Sequence, residues 1–289
     1  MSALNVTLAF DDNFWAPAYA VMRSVCLTSA RRSELVFHLC EYRVSAEHRR
    51  TLDAIAEEFG ARVIHITLED HAAFNAVRER LPVPRRLHPV IYARLLLPAV
   101  LGNVERVLYL DCDTMAVKPV EQLVEADMAG RTIAAVPDAA RLIIAGGRQM
   151  REKRDLFDLS KSYFNSGVLL IDLPRFAAAD VPGRIEALIA DGTMNRLYYD
   201  QDLLNLIFAD DWRELDWRYN VVDPRQPHET LGPHIVHYTG ERRPWHLLAG
   251  LTRSVAFARA YRHVMTDEVF YRFMRERWKR WWLGLLRLR

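Results

Sequence analysis

Val107-Leu108-Tyr109-Leu110-Asp111-Cys112-Asp113 joins an apolar run to two carboxylates one residue apart. Four apolar residues in succession read as a buried strand, and its sudden end in acids reads as a site at the strand's carboxyl edge. In extended backbone, residues i and i+2 project to one side, so Asp111 and Asp113 can converge on a single cation. Oxygen ligands at this spacing suit Mg²⁺ or Mn²⁺, which complete their shell with water and a diphosphate. The plain alternative is a strand running into an Asp-rich turn, and the rest of the chain has to decide between the two.

Working outward, strand and helix patterns alternate. Residues 5–10 alternate as a strand, Asp11-Asp12-Asn13 forms a polar turn, and residues 15–26 carry helical periodicity. Residues 35–40 form the next strand, Ser45 caps a helix that runs to Phe59 and stops at Gly60, and residues 62–68 return as strand. A Pro-rich passage, residues 82–89, leads to a helix over 92–100 and then to the strand at 107–110; further strands are expected at 132–136, 167–172 and 234–238. This order predicts an α/β fold with one sheet covered by helices. We divide it into a catalytic domain over residues 1–250 and a helical tail over 251–289.

The chain has 289 residues, 51% of them hydrophobic, which suffices for one large domain. A net charge of +2 gives no global attraction to polyanions, so no nucleic-acid partner is expected. Cys26, Cys40 and Cys112 form neither a CxxC pair nor a disulfide framework, and no charged-then-apolar leader opens the chain, so a cytoplasmic location is expected. No apolar stretch reaches the ~18 residues that a membrane span needs, so membrane contact would be peripheral.

Four other segments set polar groups where a sheet-edge cleft would collect them. Asp11-Asp12-Asn13 reads equally as a helix cap. Tyr163-Phe164-Asn165-Ser166-Gly167 puts a glycine, and hence a close backbone approach, just before the apolar residues 168–171, although a simple turn explains it too. Asp200-Gln201-Asp202 opens a helical pattern, where acids also suit the helix dipole. His237-Tyr238-Thr239-Gly240-Glu241-Arg242-Arg243-Pro244-Trp245-His246 ends a strand and is harder to explain structurally. A strand-end His would add a nitrogen ligand that favours Mn²⁺, and Arg243 could hold phosphate oxygens.

In order along the chain, FDDNF (10–14), YARLLLP (92–98), VLYLDCDTMAV (107–117), FNSGVLLIDL (164–173), YYDQDLLN (198–205), WRYN (217–220) and HYTGERRPWH (237–246) resemble glycosyltransferase family 8. The likeness is to its bacterial lipopolysaccharide α-galactosyl- and α-glucosyltransferases. That resemblance implies a GT-A fold that binds a UDP-sugar and Mn²⁺, with Mg²⁺ as the substitute. It implies Asp111, Asp113 and His237 as metal ligands and Ala9, Asp11 and Asn13 in the nucleoside pocket, with Cys112 counted among the donor contacts. Gly240 and Arg243 match a loop that closes over the diphosphate, where relatives usually carry Lys; Arg keeps the charge but changes the donor geometry. Arg94, Asp138, Asn165, Asp200 and Gln201 match positions around the donor sugar, while residues 86–88 depart from the pattern and their UDP contacts stay open. The family retains the α configuration. The residue opposite the leaving group is Gln201, an amide and a poor nucleophile, so front-face attack is favoured and Asp202 is the alternative nucleophile.

Near the chain's end, Phe270, Met274, Trp278, Trp281, Leu285 and Leu288 share one helical face, and Arg272, Arg275, Lys279, Arg280 and Arg287 lie largely elsewhere. This pattern suits the interface of an anionic membrane and would bring the site to a lipid-linked oligosaccharide acceptor. A helix packed on its own domain is the alternative. Two competing functions remain. LYLDCDTMA superficially resembles the nucleophile motif of haloacid-dehalogenase-like phosphatases, with Asp210-Asp211 as distal acids, and a non-catalytic sugar-nucleotide-binding or membrane scaffold would need the same fold.

Overall fold

In the computed structural model, residues 3–81, 88–138, 153, 155–158, 160–197, 199–240, 242–246 and 255–287 are described, with side chains to residue 284. A seven-stranded sheet runs in the order β3-β2-β1-β4-β7-β6-β8. Its members are β1 (Leu4–Asp11), β2 (Leu35–Tyr42), β3 (Arg62–Thr67), β4 (Arg106–Leu110), β6 (Ile133–Pro137), β7 (Phe164–Asp172) and β8 (Trp212–Glu214). The strand from the opening stretch, β4, is central. Its side chains alternate as period 2 requires: Leu108 and Leu110 enter the core on one face, Val107 and Tyr109 that on the other.

β7 runs antiparallel to both β4 and β6, while the other pairs in this sheet are parallel. An apolar run buried on both faces looks the same in either direction, so the sequence could not show the reversal. The reversal has a functional result. The amino end of β7 meets the carboxyl ends of β1, β4 and β6, so the polar segments 11–13, 111–113 and 163–167 reach one sheet edge.

A second, three-stranded sheet orders β5 (Thr114–Ala116), β10 (Ile235–His237) and β9 (Val221–Val222). The expected strand at 234–238 is therefore real but belongs to this smaller sheet, where His237 pairs with Thr114. Helix α1 (Trp15–Thr28) packs on β5, and α2 (Ala46–Phe59) starts and stops as its sequence indicates. The Ser45 side chain accepts from the His48 backbone N–H, and Gly60 takes a left-handed φ of 68° that a side chain would oppose. The helix expected over 92–100 is instead a 3₁₀ stretch, Pro89–Leu96, followed by a short helix, Leu97–Leu101. Pro98 lacks the N–H that a continuous helix needs, so the chain starts a new helix there.

The C-terminal part enters the main core. Tyr261 and Met265 of the helix Ala258–Met265, and Phe270 and Phe273 of the C-terminal helix Asp267–Arg287, belong to the apolar cluster that contains Leu8 and Trp15. Both helices lie within the expected tail, residues 251–289, and share this cluster with the catalytic domain. The expected apolar stripe is split: Phe270 is buried, whereas Trp278 and Trp281 are 57% and 60% exposed. Leu288 and the side chains of Leu285 and Arg287 lie outside the described residues.

Candidate active site and metal centre

Asp111, Cys112 and Asp113 form the short link from β4 to β5, so the two carboxylates stand where the large sheet hands the chain to the small one. β10 brings His237 to the same point. One oxygen from each Asp and one His237 nitrogen lie within 4.8 Å of one another. His237 Nε2 is 3.0 Å from Asp113 Oδ1 and 3.8 Å from Asp111 Oδ2.

The ring's other nitrogen fixes its orientation. Nδ1 lies 3.0 Å from the Asn220 side-chain oxygen, to which it can donate, and this leaves the Nε2 lone pair directed at the carboxylates. The Asn220 amide in turn donates to Asn165 Oδ1 at 2.8 Å, which also accepts from Gly167 N–H at 3.0 Å. Gly167 is needed here for space: a Cβ would sit 2.1 Å from His237 Cε1 and 2.8 Å from Asp111 Oδ2. The close approach expected of this glycine is to the imidazole. Burial opposes a charge on His237, yet Asp113 and Asp111 outweigh it and raise the pKa. Burial likewise works to raise Asp113, but His237 holds its carboxyl low.

Arg94 is buried beside Asp111. It donates to Asp111 Oδ1 at 2.6 Å, pairs with Asp200 Oδ2 at 3.0 Å, and donates to the Ser166 carbonyl at 2.8 Å. Its guanidinium carbon lies 4.6 Å from the Tyr109 ring centroid. One cation thus serves two carboxylates, which is why it persists at 5% exposure. Burial raises the Asp200 pKa even with Arg94 beside it.

A cavity of about 500 Å³ opens at this edge, between the carboxyl ends of β1 and β4, the point where the strand order reverses direction. Among the expected residues, Ala9, Asp11, Asn13, Arg94, Asp111, Cys112, Asp113 and Arg243 line it together. Phe10, Phe14, Val90 and Ile91 line it too, and the sequence reading assigned them no role. His88, whose contacts the reading left open, also faces the cavity, whereas residues 86 and 87 are outside the described set. Asn13 donates through its amide to Asp11 Oδ2 at 2.8 Å. Arg243 lies over the rings of Phe14 and Trp245 at 5.9 and 5.5 Å and donates to the Gly240 carbonyl at 3.2 Å. Gly240 itself donates to Asp223 Oδ1.

The helix Tyr199–Ile207 carries Asp200, Gln201 and Asp202 beside this cavity rather than in its lining. Gln201 accepts from Ser166 N–H at 3.1 Å and donates to Asp138 Oδ2 at 2.9 Å. Asp202 is fully buried, ion-paired with Lys153 and accepting from the Tyr163 hydroxyl at 2.7 Å. Asp12 turns away from its neighbours Asp11 and Asn13 and meets α2 instead. Asn220 was missed as a functional residue, although WRYN was a visible motif.

The phosphatase reading fails on topology. Asp211 bonds Thr132, the residue before β6, and the register through β7 puts that position level with Arg106, at the sheet edge opposite Asp111.

Known proteins share the sequence pattern and the fold of this chain. The description "Glycosyl transferase family 8" matches residues 5–249. General stress protein A of Bacillus subtilis is 23% identical over 261 residues, covering 84% of this chain and 87% of that protein. The lipopolysaccharide 1,3-galactosyltransferase of Salmonella typhimurium is 26% identical over 261 residues, covering 84% and 73%. Among solved structures, galactosyltransferase LgtC in complex with donor and acceptor sugar analogs superimposes with a TM-score of 0.74 at 23% identity, covering 91% of this chain and 95% of that one.

Proposed function

The chain belongs to glycosyl transferase family 8, and on that premise we propose a retaining transfer of a hexose, galactose or glucose, from a UDP-sugar to a saccharide acceptor of the lipopolysaccharide-core type. The observation that carries this reading is the Asp111, Asp113 and His237 cluster, two of whose members line the cavity between β1 and β4. The name of the Salmonella relative supports both the sugar class and the acceptor.

The donor set fits a divalent cation. Two carboxylates with one imidazole suit Mn²⁺ better than an all-oxygen set would, and the Gly167 backbone leaves the space that a side chain would fill. Held by these residues, Mn²⁺, or Mg²⁺ in its place, would supply positive charge beside the diphosphate oxygens and stabilise the leaving group.

The chain's own residues do the rest. Arg243 adds a charge at the cavity wall, and Asp11 with Asn13 offers hydrogen-bonding groups for a nucleoside. Arg94 holds Asp111 and Asp200 in place. Gln201, with its amide tied to Ser166 and Asp138, offers no strong nucleophile near the donor sugar. The acceptor hydroxyl then attacks from the side that UDP leaves, and the departing phosphate takes its proton. The engagement of Asp202 by Lys153 and Tyr163 supports this order over a covalent intermediate; a trapped glycosyl-Asp202 adduct would overturn it.

Among the described residues no helix is long and apolar enough to cross a membrane. Exposed Trp278, Trp281, Trp282 and Leu283 beside Arg275, Lys279 and Arg280 support peripheral binding to an anionic membrane surface. We place the enzyme on the cytoplasmic face, with a lipid-linked saccharide as acceptor.

The test is the melting temperature against UDP, UDP-galactose and UDP-glucose, each with and without Mn²⁺. A Mn²⁺-dependent shift that Asp111→Ala or Asp113→Ala removes supports the donor site, and the larger sugar shift names the donor. No shift with any of the three would sink the enzyme. Release of UDP from the sugar donor without acceptor separates turnover from a scaffold.

A further inference from the structure

Glu276 is the only acid among residues 270–289, and it faces inward onto the catalytic core. Its Oε2 accepts from Trp15 Nε1 at 2.9 Å, and its Oε1 lies 3.2 Å from His48 Nε2. The opposite nitrogen of the same ring, Nδ1, lies 2.6 Å from Asp12 Oδ1. Asp12 sits between Asp11 and Asn13, both of which line the cavity. Its carboxylate also accepts from Ser45 N–H at 2.9 Å. The imidazole is stacked on Trp15, with centroids 4.3 Å apart. A single ring therefore joins the C-terminal helix to the loop behind the proposed nucleoside pocket.

We propose that His48 and Glu276 are positioning residues for the nucleotide site, and that their hold on the Asp11–Asn13 loop requires the imidazolium form of His48. This inference rests on the donor-site reading above. Its basis is the inventory of donors: both neighbours are carboxylates, which only accept, so a neutral ring could donate to one and would turn a lone pair towards the other. Only the doubly protonated ring satisfies both.

The groups around His48 are Asp12 from the β1–α1 loop, Trp15 from α1, Glu276 and Arg272 from the C-terminal helix, and Glu47 on its own helix. Arg272 lies over Trp15 at 4.4 Å and pairs with Glu47 at 3.7 Å, so it does not take either acid from His48. Burial works against the charged ring, and the bonds from Asp12 and Glu276 outweigh it, so the His48 pKa is raised. The hold is thus complete in mild acid and released as pH rises through that raised value.

The experiment is calorimetric titration of the full chain with UDP in the presence of Mn²⁺, at about pH 6.5 and about pH 8.5, a span chosen around the ordinary imidazole range. Wild type, Glu276→Gln and Glu276→Ala are compared, with melting temperatures to verify folding. Measured against Glu276→Gln, in which the metal centre titrates in the same way, the wild type is expected to lose about fivefold or more in UDP affinity from the lower to the higher pH. Glu276→Gln offers a donor to Nε2 and so removes most of that difference; Glu276→Ala weakens binding at both values. The metal centre's own titration is common to all three proteins and cancels. Retention of the wild-type pH difference in Glu276→Gln, or wild-type affinity in Glu276→Ala, overturns the proposal. Absence of UDP binding by the wild type overturns the donor site itself, and this inference with it.

Discussion

Gly167 and His237 are in contact in the sense that leaves no room for a methyl group: a Cβ on residue 167 would fall 2.1 Å from the imidazole Cε1. The obstacle is the ring of a metal-ligand candidate, so Gly167→Ala must displace either β7 or His237. We expect Mn²⁺ affinity to drop about tenfold or more, as it does when ligand orientation is lost. Metal titration of the variant checks this, and unchanged affinity would mean that His237 is not a ligand.

Asn220→Ala removes the acceptor for His237 Nδ1 and the donor to Asn165 without touching either carboxylate. The tautomer is no longer fixed, and Mn²⁺ affinity is expected to weaken about 10- to 100-fold. Asn220→Asp keeps an acceptor at that place and should recover part of the loss.

The pH dependence of metal stabilisation has a definite sign. His237 has a raised pKa, so in the metal-free protein its contribution to stability is complete below the ordinary imidazole value of 6.5 and is lost as pH rises through the raised one. A cation requires the deprotonated Nε2 and competes with that proton. The Mn²⁺-induced rise in melting temperature should be small at about pH 5.5 and grow towards about pH 8. A shift that is flat over this range would exclude His237 from the metal site.

Arg94→Met would leave Asp111 and Asp200 facing each other without their shared cation. Breaking a buried pair by removing one partner costs about 3–5 kcal/mol. Denaturant unfolding is expected to show a loss of that order. Arg94→Lys should recover only part of it, since an ammonium cannot reproduce the fork that reaches Asp111, Asp200 and Ser166 together.

Trp281→Ala with Trp282→Ala tests the membrane face. Both rings are more than half exposed, at 60% and 53%, so stability should change by less than about 0.5 kcal/mol. Sedimentation with anionic vesicles at low salt should fall about tenfold, because aromatic anchoring is lost while the basic residues remain. Equal sedimentation of variant and parent would remove the membrane role from this face.

Much of the architecture was legible because it rests on local chemistry. Ser45 and Gly60 mark the ends of α2, and the apolar run at 107–110 marks the central strand. The pairing of Asp111 with Asp113 was legible from strand geometry, but the arrival of His237 beside them rested on motif order, since 124 residues separate Asp113 from His237 along the chain and local periodicity says nothing of such a meeting. The place of Asn220 was hidden for the same reason: it touches His237 rather than the carboxylates, and an asparagine after a tyrosine carries no pattern of its own. Asp12, which the resemblance left out of the nucleoside pocket, has its place explained by the structure. Adjacent acids look equivalent on paper, but successive side chains at a strand end point to opposite sides, so Asp11 faces the cavity and Asp12 faces His48.

The division of the candidate metal ligands between the two sheets bears on any attempt to shorten this protein. A fragment ending before residue 220 would keep the large sheet, both carboxylates and most of the cavity wall, yet lack His237, the residue that orients it, and Arg243. Such a piece could resemble the enzyme in its secondary structure and still have no working centre. A screen for truncated variants should therefore score cation uptake rather than folding.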